Sequence, residues 1–439
     1  MRRVVLSVLA GVLGAAEVHA APRSLTIDDA VALALRASPR LASARARREA
    51  SEASATSAGR RMVFGVHVSD EFQRWNAPFA IAFGMPGSGM PPVAFVAREQ
   101  TTNTLAVTAD QPLLGLGRAE KEREALVEQT SALEADVSAA ESDIRQAVET
   151  QFIRFFEARA LEDIAAASVK ELSDQVTVAK ARLGAGTITR ADLLRIEVAV
   201  ANAQQQRLAA ESQQKSTRAQ LMALMGVDPS ESAELTLVEP TARLMSRAAP
   251  RPLATLLPEA RQRRPDLTAQ SHLVLSAQHT ASARNWAMLP DIDLEGGYLH
   301  LNGQPFQPVN SAYIGVKANW AIWEWGATDM QRRAAQAQHA AAERDRETLE
   351  RQIEAELTAS LADDEAARGA VGSAETAVTS AEEAYRVTQA AVNAGAATTT
   401  DLLQAEAELT QARLNLTRAN YELALSQVAI THATGGVGL

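Results

Sequence analysis

From Arg118 to Arg182 the chain runs for 65 residues without a proline or a glycine. At 1.5 Å per residue such a run predicts a helix of roughly 98 Å, far longer than a compact domain can bury. A second long helical pattern, free of proline, covers 327–393. These two helices are parts of an internal duplication. Ala34-Leu35-Arg36-Ala37-Ser38-Pro39-Arg40-Leu41 recurs as Ala260-Arg261-Gln262-Arg263-Arg264-Pro265-Asp266-Leu267, an offset of 226. Gly117 and Gly186 recur as Gly326 and Gly395, and Asp192-Leu193-Leu194 as Asp401-Leu402-Leu403, all at an offset of 209. The difference, 226 − 209 = 17 residues, places an insertion in the first copy, and the Pro/Gly/Met-rich stretch Asn76–Ala97 is its expected site, read as a loop.

The organisation that follows is a first repeat over 21–226, a proline- and polar-rich linker over 227–251 and a second repeat over 252–439. Each copy reads as short helix, medium helix, strand, loop, strand, long helix, glycine turn, returning helix. Strands are expected at about 63–75, 98–110, 291–300 and 312–320. Long helices are expected at 118–182 and 327–393, and returning helices at 189–226 and 398–434. In the last of these Leu402, Leu409, Leu416, Leu423 and Ile430 recur every seven residues, with Ala405, Ala412, Ala419 and Ser426 three residues after the first four. Large residues at one seam position and small ones at the other predict close, left-handed coiled-coil packing. Helices alone fit an elongated periplasmic coiled-coil scaffold protein as well as a wall built around a pore.

The strands separate those readings. Ile292, Leu294 and Tyr298 alternate with Asp293, Glu295 and Gly297, and Ile314, Val316 and Ala318 with Tyr313, Gly315, Lys317 and Asn319. Phe64, Val66 and Val68, and Leu105, Val107 and Ala109, do the same in the first copy. One apolar and one polar face per strand fits a β-sandwich core, but it also fits a membrane barrel with lipid outside and water within. Thirteen of the eighteen aromatic residues, including all five tryptophans, lie in 64–95 or 286–325, as an interfacial girdle requires. Four strands cannot close a barrel, and an open edge is not tolerated in lipid, so several chains must contribute.

The beginning of the chain fixes the compartment. Arg2 and Arg3, an apolar run from Val4 to about Ala16, and Val18-His19-Ala20 form a signal peptide over 1–20, with processing expected before Ala21. There is no cysteine, which excludes disulfides, thiolate metal sites and a lipid on an N-terminal cysteine. A formal net charge of −10 argues against a nucleic-acid partner. No apolar run of 18 residues follows the signal, so any membrane crossing is by a barrel. Catalytic motifs are lacking. Gly184-Ala185-Gly186 follows a helix rather than a strand, Gly87-Ser88-Gly89 lacks the GxSxG frame, and no P-loop occurs. No enzyme activity, cofactor or metal is expected. His272 and His279, seven apart on one helix, are read as covering a solvated face.

In this order of elements the chain resembles the TolC-like outer-membrane efflux proteins. The carriers are Leu25-Thr26-Ile27-Asp28-Asp29-Ala30 through Leu41, Asp110-Gln111-Pro112 through Gly117, Trp323-Glu324-Trp325-Gly326, and two turns, Arg182 to Leu194 and Asn393 to Leu403. The resemblance implies a mainly α protein with a transmembrane β-barrel portion: a homotrimer whose chains give four strands each to a twelve-stranded barrel, continued by an α-helical barrel in the periplasm. It implies the exit duct of a tripartite efflux or type I secretion system in the outer-membrane lipid. A periplasmic adaptor protein and an inner-membrane transporter would be its partners. By the same resemblance Arg182, Gly186 and Gly395 belong to the tip the adaptor grips, and Asp192 and Asp401 lie at the periplasmic aperture. The two aspartates fit either a carboxylate ring or two helix caps. The chain departs from the best-known pattern at Val392 and Ala397, where a tyrosine and an arginine hold the closed tip in some members, and at Gln404, where a second acidic residue stands.

Overall fold

The computed structural model describes residues 23–84, 93–228, 235–244 and 250–436. The signal peptide and the middle of the insertion therefore lie outside the described residues. In chain order the elements are β1 (Arg23–Leu25), α1 (Ile27–Ala37), α2 (Pro39–Arg60), β2 (Gly65–Arg74), β3 (Phe79–Phe83), β4 (Val93–Arg98), β5 (Thr101–Pro112), α3 (Leu116–Gly184) and α4 (Arg190–Met225). Then follow β6 (Leu235–Leu237), α5 (Thr241–Leu244), α6 (Leu253–Arg263), α7 (Pro265–Trp286), β7 (Asp291–Asn302), β8 (Asn310–Asn319), α8 (Ala327–Asn393) and α9 (Thr399–Ala433). Two differences from the sequence reading stand out. The insertion expected as a loop carries the antiparallel pair β3–β4. Within the linker β6 pairs in parallel with β1.

The chain forms two compact units, and both draw on each repeat. One comprises residues up to Ser38 with Ile144–Ala248 and Glu365–Val428; the other comprises Pro39–Asp143, Ala249–Asp364 and Ala429 onward. The first unit is organised by an aromatic cluster on α3. Phe152, Ile153, Phe155 and Phe156 are buried with Ile27, Val31 and Ala34 of α1, Leu221 and Met225 of α4, and Tyr421 of α9. The Tyr421 hydroxyl donates to Glu239 at 3.1 Å, so the one polar atom of that ring is satisfied. Here α4 runs antiparallel to the last part of α3: Gln151 donates to the Thr217 carbonyl at 3.0 Å, and Arg207 lies 3.4 Å from Glu162. The α9 seam packs on α8 through Val371 and Ala374 against Ala419 and Leu423.

In the second unit α2 runs antiparallel to the first part of α3, with Arg40 2.7 Å from Asp143, Arg45 2.9 Å from Glu141 and Ser51 2.8 Å from Thr130. Between α3 and α8 lies α7. It packs Leu267 on Ile353 of α8 and turns its other side to α3. His272 and His279 lie on that side, 2.7 Å from Glu128 and 2.8 Å from Glu124, with side chains only 33% and 26% exposed. The expected solvated face is thus a helix–helix contact, because α7 has neighbours on two sides. Near its end, a Cβ on Gly117 would stand 2.8 Å from the Trp286 ring, so this glycine permits the close approach of α3 and α7.

A polar clamp gathers five helices in this unit. Arg264, between α6 and α7, reaches Asp266 at 2.8 Å, Glu356 of α8 at 2.6 Å and the last carbonyl of α9, Ala433, at 3.3 Å. His432 of α9 lies 3.3 Å from Asp143 of α3, itself paired with Arg40 of α2. Its other nitrogen is 3.8 Å from Glu356, longer than a hydrogen bond, so that attraction is one of charge. The neighbouring imidazole, with Arg264, pulls the Glu356 carboxyl down to about 2, and Glu356 and Asp143 raise the His432 imidazole above its ordinary value.

Two predictions follow from this packing. Leu409 and Ala412 are 4% and 7% exposed in the α9 seam. Leu409→Asp buries an unpaired charge at a cost of roughly 3–5 kcal/mol, and Ala412→Trp overfills the seam at about 1–3 kcal/mol. Both are expected to lower the melting temperature, and wild-type melting in both variants contradicts the seam. For the clamp, the depressed Glu356 contributes stability above its usual 4.5 that is lost as pH falls through about 2. The raised His432 contributes stability that is complete below 6.5 and is lost as pH rises through its folded value. Melting scans against pH should therefore show a wild-type excess over His432→Gln that is greatest between about pH 4.5 and 6.5 and shrinks in alkali. A difference that stays constant from that range into alkali contradicts the clamp.

Candidate functional site

Two regions carry the chemistry expected of the chain: the sheet and the pair of glycine turns. The sheet has the order β2-β5-β7-β8, antiparallel throughout. Its register sorts the side chains onto two faces. Val66 and Val68 stand opposite Ala109 and Val107; these stand opposite Gly296 and Tyr298, which in turn face Ile314 and Ala312. This face is apolar and bare, with Ile314 80% and Val316 66% exposed. The other face carries Ser69, Glu71, Thr104, Thr108, Glu295 and Lys317, with Leu299 and Leu301 at its far end. There Tyr313 donates to Glu295 at 2.6 Å. A soluble sandwich would cover the apolar face with a second sheet, and among the described residues nothing covers it.

The apolar face has definite ends. At the helix side stand Trp320, Ile322, Trp323 and Trp325, between 59% and 89% exposed. Trp325 is held at φ 54°, a conformation that costs a side-chain residue about 1 kcal/mol. At the other end polar groups enter the same face: Asp70, His300 and Asn310 share one row with Leu105, Asn103 of the next row donates to Asp70 at 2.6 Å, and the Tyr298 hydroxyl and His300 both meet Asn310 at 2.8 Å. From Asn310 to Trp320 is ten residues, about 34 Å of strand, which a tilt of about 40° reduces to about 26 Å. A transmembrane barrel needs an apolar band about 25 Å tall.

The two turns repeat one design. At the end of α3 the Gly186 N–H donates to the Leu183 carbonyl at 3.0 Å and the Thr187 N–H to the Arg182 carbonyl at 2.9 Å. At the end of α8 the Gly395 N–H donates to Val392 at 3.2 Å and the Ala396 N–H to Ala391 at 2.8 Å. Both are Schellman closures, and both glycines need the left-handed backbone, at φ 74° and 75°. A Cβ at either position would meet nothing within 4 Å, so conformation alone demands glycine within the chain. The next helices then open with the same capping box. The Thr189 side chain accepts from the Asp192 N–H at 3.2 Å while Asp192 accepts from the Thr189 N–H at 3.1 Å. Thr398 and Asp401 repeat this at 3.2 and 2.8 Å. These bonds hold both carboxyls below the usual range, chiefly through the threonine hydroxyl for Asp192 and the backbone N–H for Asp401.

The structure thus places Asp192 and Asp401 as equivalent caps and joins Arg182 to the second turn, its guanidinium donating to Asn393 at 2.5 Å. The sequence reading missed what lies behind that contact. Tyr385 of α8 donates to Glu171 of α3 and accepts from Gln175 at 3.2 Å, beside a crevice of about 510 Å³ lined by Arg182, Ile188, Val392 and Leu402 as well. Burial, then the Glu171 carboxylate, push the Tyr385 phenol upward, so it stays a donor at any physiological pH. Tyr385 is the one aromatic residue of α8, and that isolation was the available signal. Among the described residues, no group of three or more histidine, aspartate or glutamate side chains is placed to hold a metal ion.

Comparison with known proteins agrees with this geometry. Residues 30–227 and 256–436 match the family model for outer membrane efflux proteins. The chain is 27% identical over 219 residues to the outer membrane efflux protein BepC of Brucella suis biovar 1 (strain 1330), a match covering 48% of this chain and 46% of that protein, about half its length. The fold matches the outer membrane protein VceC of Vibrio cholerae, with TM-score 0.78 and 19% identity over 93% of this chain and 96% of that one. It also matches the open state of the Neisseria gonorrhoeae MtrE outer membrane channel, with TM-score 0.77 and 17% identity over 93% and 89%.

Proposed function

Because this chain belongs to the outer membrane efflux protein family, channel proteins of tripartite pumps seated in the outer membrane, we propose that three copies close one twelve-stranded barrel and serve as the pump's exit duct. The observation that carries this is the sheet: four strands with an apolar face of membrane height and two unpaired edges, β2 and β8. In hydrocarbon every backbone N–H and C=O must be paired, so β8 of one copy has to meet β2 of the next until the ring closes. The repeats 21–226 and 252–439 would each give two strands to the barrel and a helical pair to the periplasmic tube. The same apolar face argues against a free-standing periplasmic scaffold, which would expose it to water.

In this reading no chemistry is performed on the cargo, and energy comes from an inner-membrane transporter. A periplasmic adaptor would grip the turns at Arg182, Gly186 and Gly395, where both glycines leave the backbone open to close approach. The contacts Tyr385–Glu171 and Arg182–Asn393 support a closed tip held by α3 and α8 in place of the residues absent at Val392 and Ala397. Each capping aspartate uses one oxygen toward its threonine, and the other oxygen of Asp192 accepts from Arg195 at 3.2 Å. In a trimer six such carboxylates would surround the aperture and favour cations there.

Conductance in planar bilayers tests the duct and the ring together. Purified protein is expected to form stable ion-conducting channels that a trivalent cation blocks from the periplasmic side, with block weakened in Asp192→Ala and Asp401→Ala. Protein that inserts without conducting contradicts the duct. Unchanged block together with a lowered melting point in both variants shows that the aspartates act as caps alone.

A further inference from the structure

The β3–β4 pair belongs to none of the roles described so far. It continues the β2–β5 hairpin past the row of Asp70, His300 and Asn310, joined to it where the Trp75 N–H donates to the Gln100 carbonyl at 2.8 Å. Its register puts Ile81 opposite Phe95 and Phe83 opposite Val93 on one face, and Ala80 opposite Val96 and Ala82 opposite Ala94 on the other. Phe83 and Phe95 touch, with ring centroids 6.1 Å apart. From Phe79 to Ala97 the sequence has no charged residue. Phe79, Phe83 and Val93 are nevertheless 55%, 62% and 58% exposed.

Lipid tails do not account for this face. The polar row closes the apolar band at about 26 Å, and the hairpin begins beyond it, on the side away from the helices. Among the described residues, none covers this face either. What lies next to the hairpin in a closed ring follows from the strand order. Strand β3 prolongs β2, one unpaired edge of the sheet; β8 is the other edge, and its outer end leads into the β7–β8 turn. That turn carries Phe306 and Val309, 61% and 54% exposed. When β8 of one copy pairs with β2 of its neighbour, the turn of the first stands beside β3 of the second.

We propose that the β3–β4 hairpin is an apolar clasp between copies of this chain, with the β7–β8 turn of the adjacent copy as its partner. The inference rests on the ring of copies proposed above and adds a contact which that ring does not itself require. Two exposed apolar surfaces, brought to one seam by pairing of the edge strands, would shield each other from water at the outer rim. The clasp lies outside the membrane, so the hydrophobic effect between protein surfaces operates there, as it does not within lipid.

The absence of cysteine from the chain gives a clean background for cross-linking. The double variants Ile81→Cys with Phe306→Cys and Phe83→Cys with Phe306→Cys, treated in detergent with a flexible bis-maleimide, are expected to give covalent dimers and trimers on denaturing gels. The single variants are expected to remain monomeric there. Light scattering of the untreated variants reports the ring independently. Trimeric particles that yield no ladder from either pair overturn the clasp and leave the duct standing; monomeric particles overturn both. Ile81→Ser combined with Phe83→Ser, which spares the barrel strands, is expected to lower the temperature at which trimers separate in SDS. An unchanged temperature also counts against the clasp.

Discussion

Backbone hydrogen bonding in hydrocarbon is the constraint on which the rest of this structure depends. Each unpaired N–H or C=O in lipid costs several kcal/mol, as an order of magnitude. A four-stranded sheet with free edges at β2 and β8 is therefore incomplete as a membrane element, although its apolar face, about 26 Å tall at a tilt of about 40°, matches the band a transmembrane barrel needs. Completion by further copies fixes much else. Both hairpins must point their turns the same way, and all four strand ends at Gly65, Pro112, Asp291 and Asn319 must open toward the helices.

Within each unit, long helices are held by small residues and by polar clamps rather than by one large core. The aromatic cluster of Phe152, Phe155 and Phe156 anchors α1, α4 and α9 around α3 in one unit. In the other, Arg264 and His432, at helix ends, are tied through charge to Glu356 and Asp143 inside α8 and α3. The glycine turns close the ends of the long helices with identical Schellman bonds and reopen the chain with identical capping boxes. Repetition of one local solution at both turns is what the sequence duplication looks like in three dimensions.

Features with a strong local cause were legible in the sequence. A proline- and glycine-free run has few alternatives to helix, and α3 spans Leu116–Gly184. Period-two alternation identified the apolar face at Val66, Val107, Leu294 and Ile314, and the family resemblance carried from sequence to structure. Features that depend on a distant neighbour were not legible. His272 and His279 looked solvated because nothing local announces that α7 lies between α3 and α8. The Tyr385–Glu171 contact joins residues more than two hundred positions apart. The insertion reads as a loop in the sequence because proline, glycine and methionine near its middle outweigh the short alternating segments Phe79–Phe83 and Val93–Arg98. Asp192 and Asp401 admitted two roles, and the capping role rests on a threonine three residues earlier that the motif itself contains.

The central claim is that the sheet of one chain is a third of a closed barrel. Native mass spectrometry of the protein released from detergent micelles counts the copies directly. The account predicts a single assembly of three chains that persists when the micelle is stripped away; a particle of one chain, or of a number of chains other than three, would contradict it.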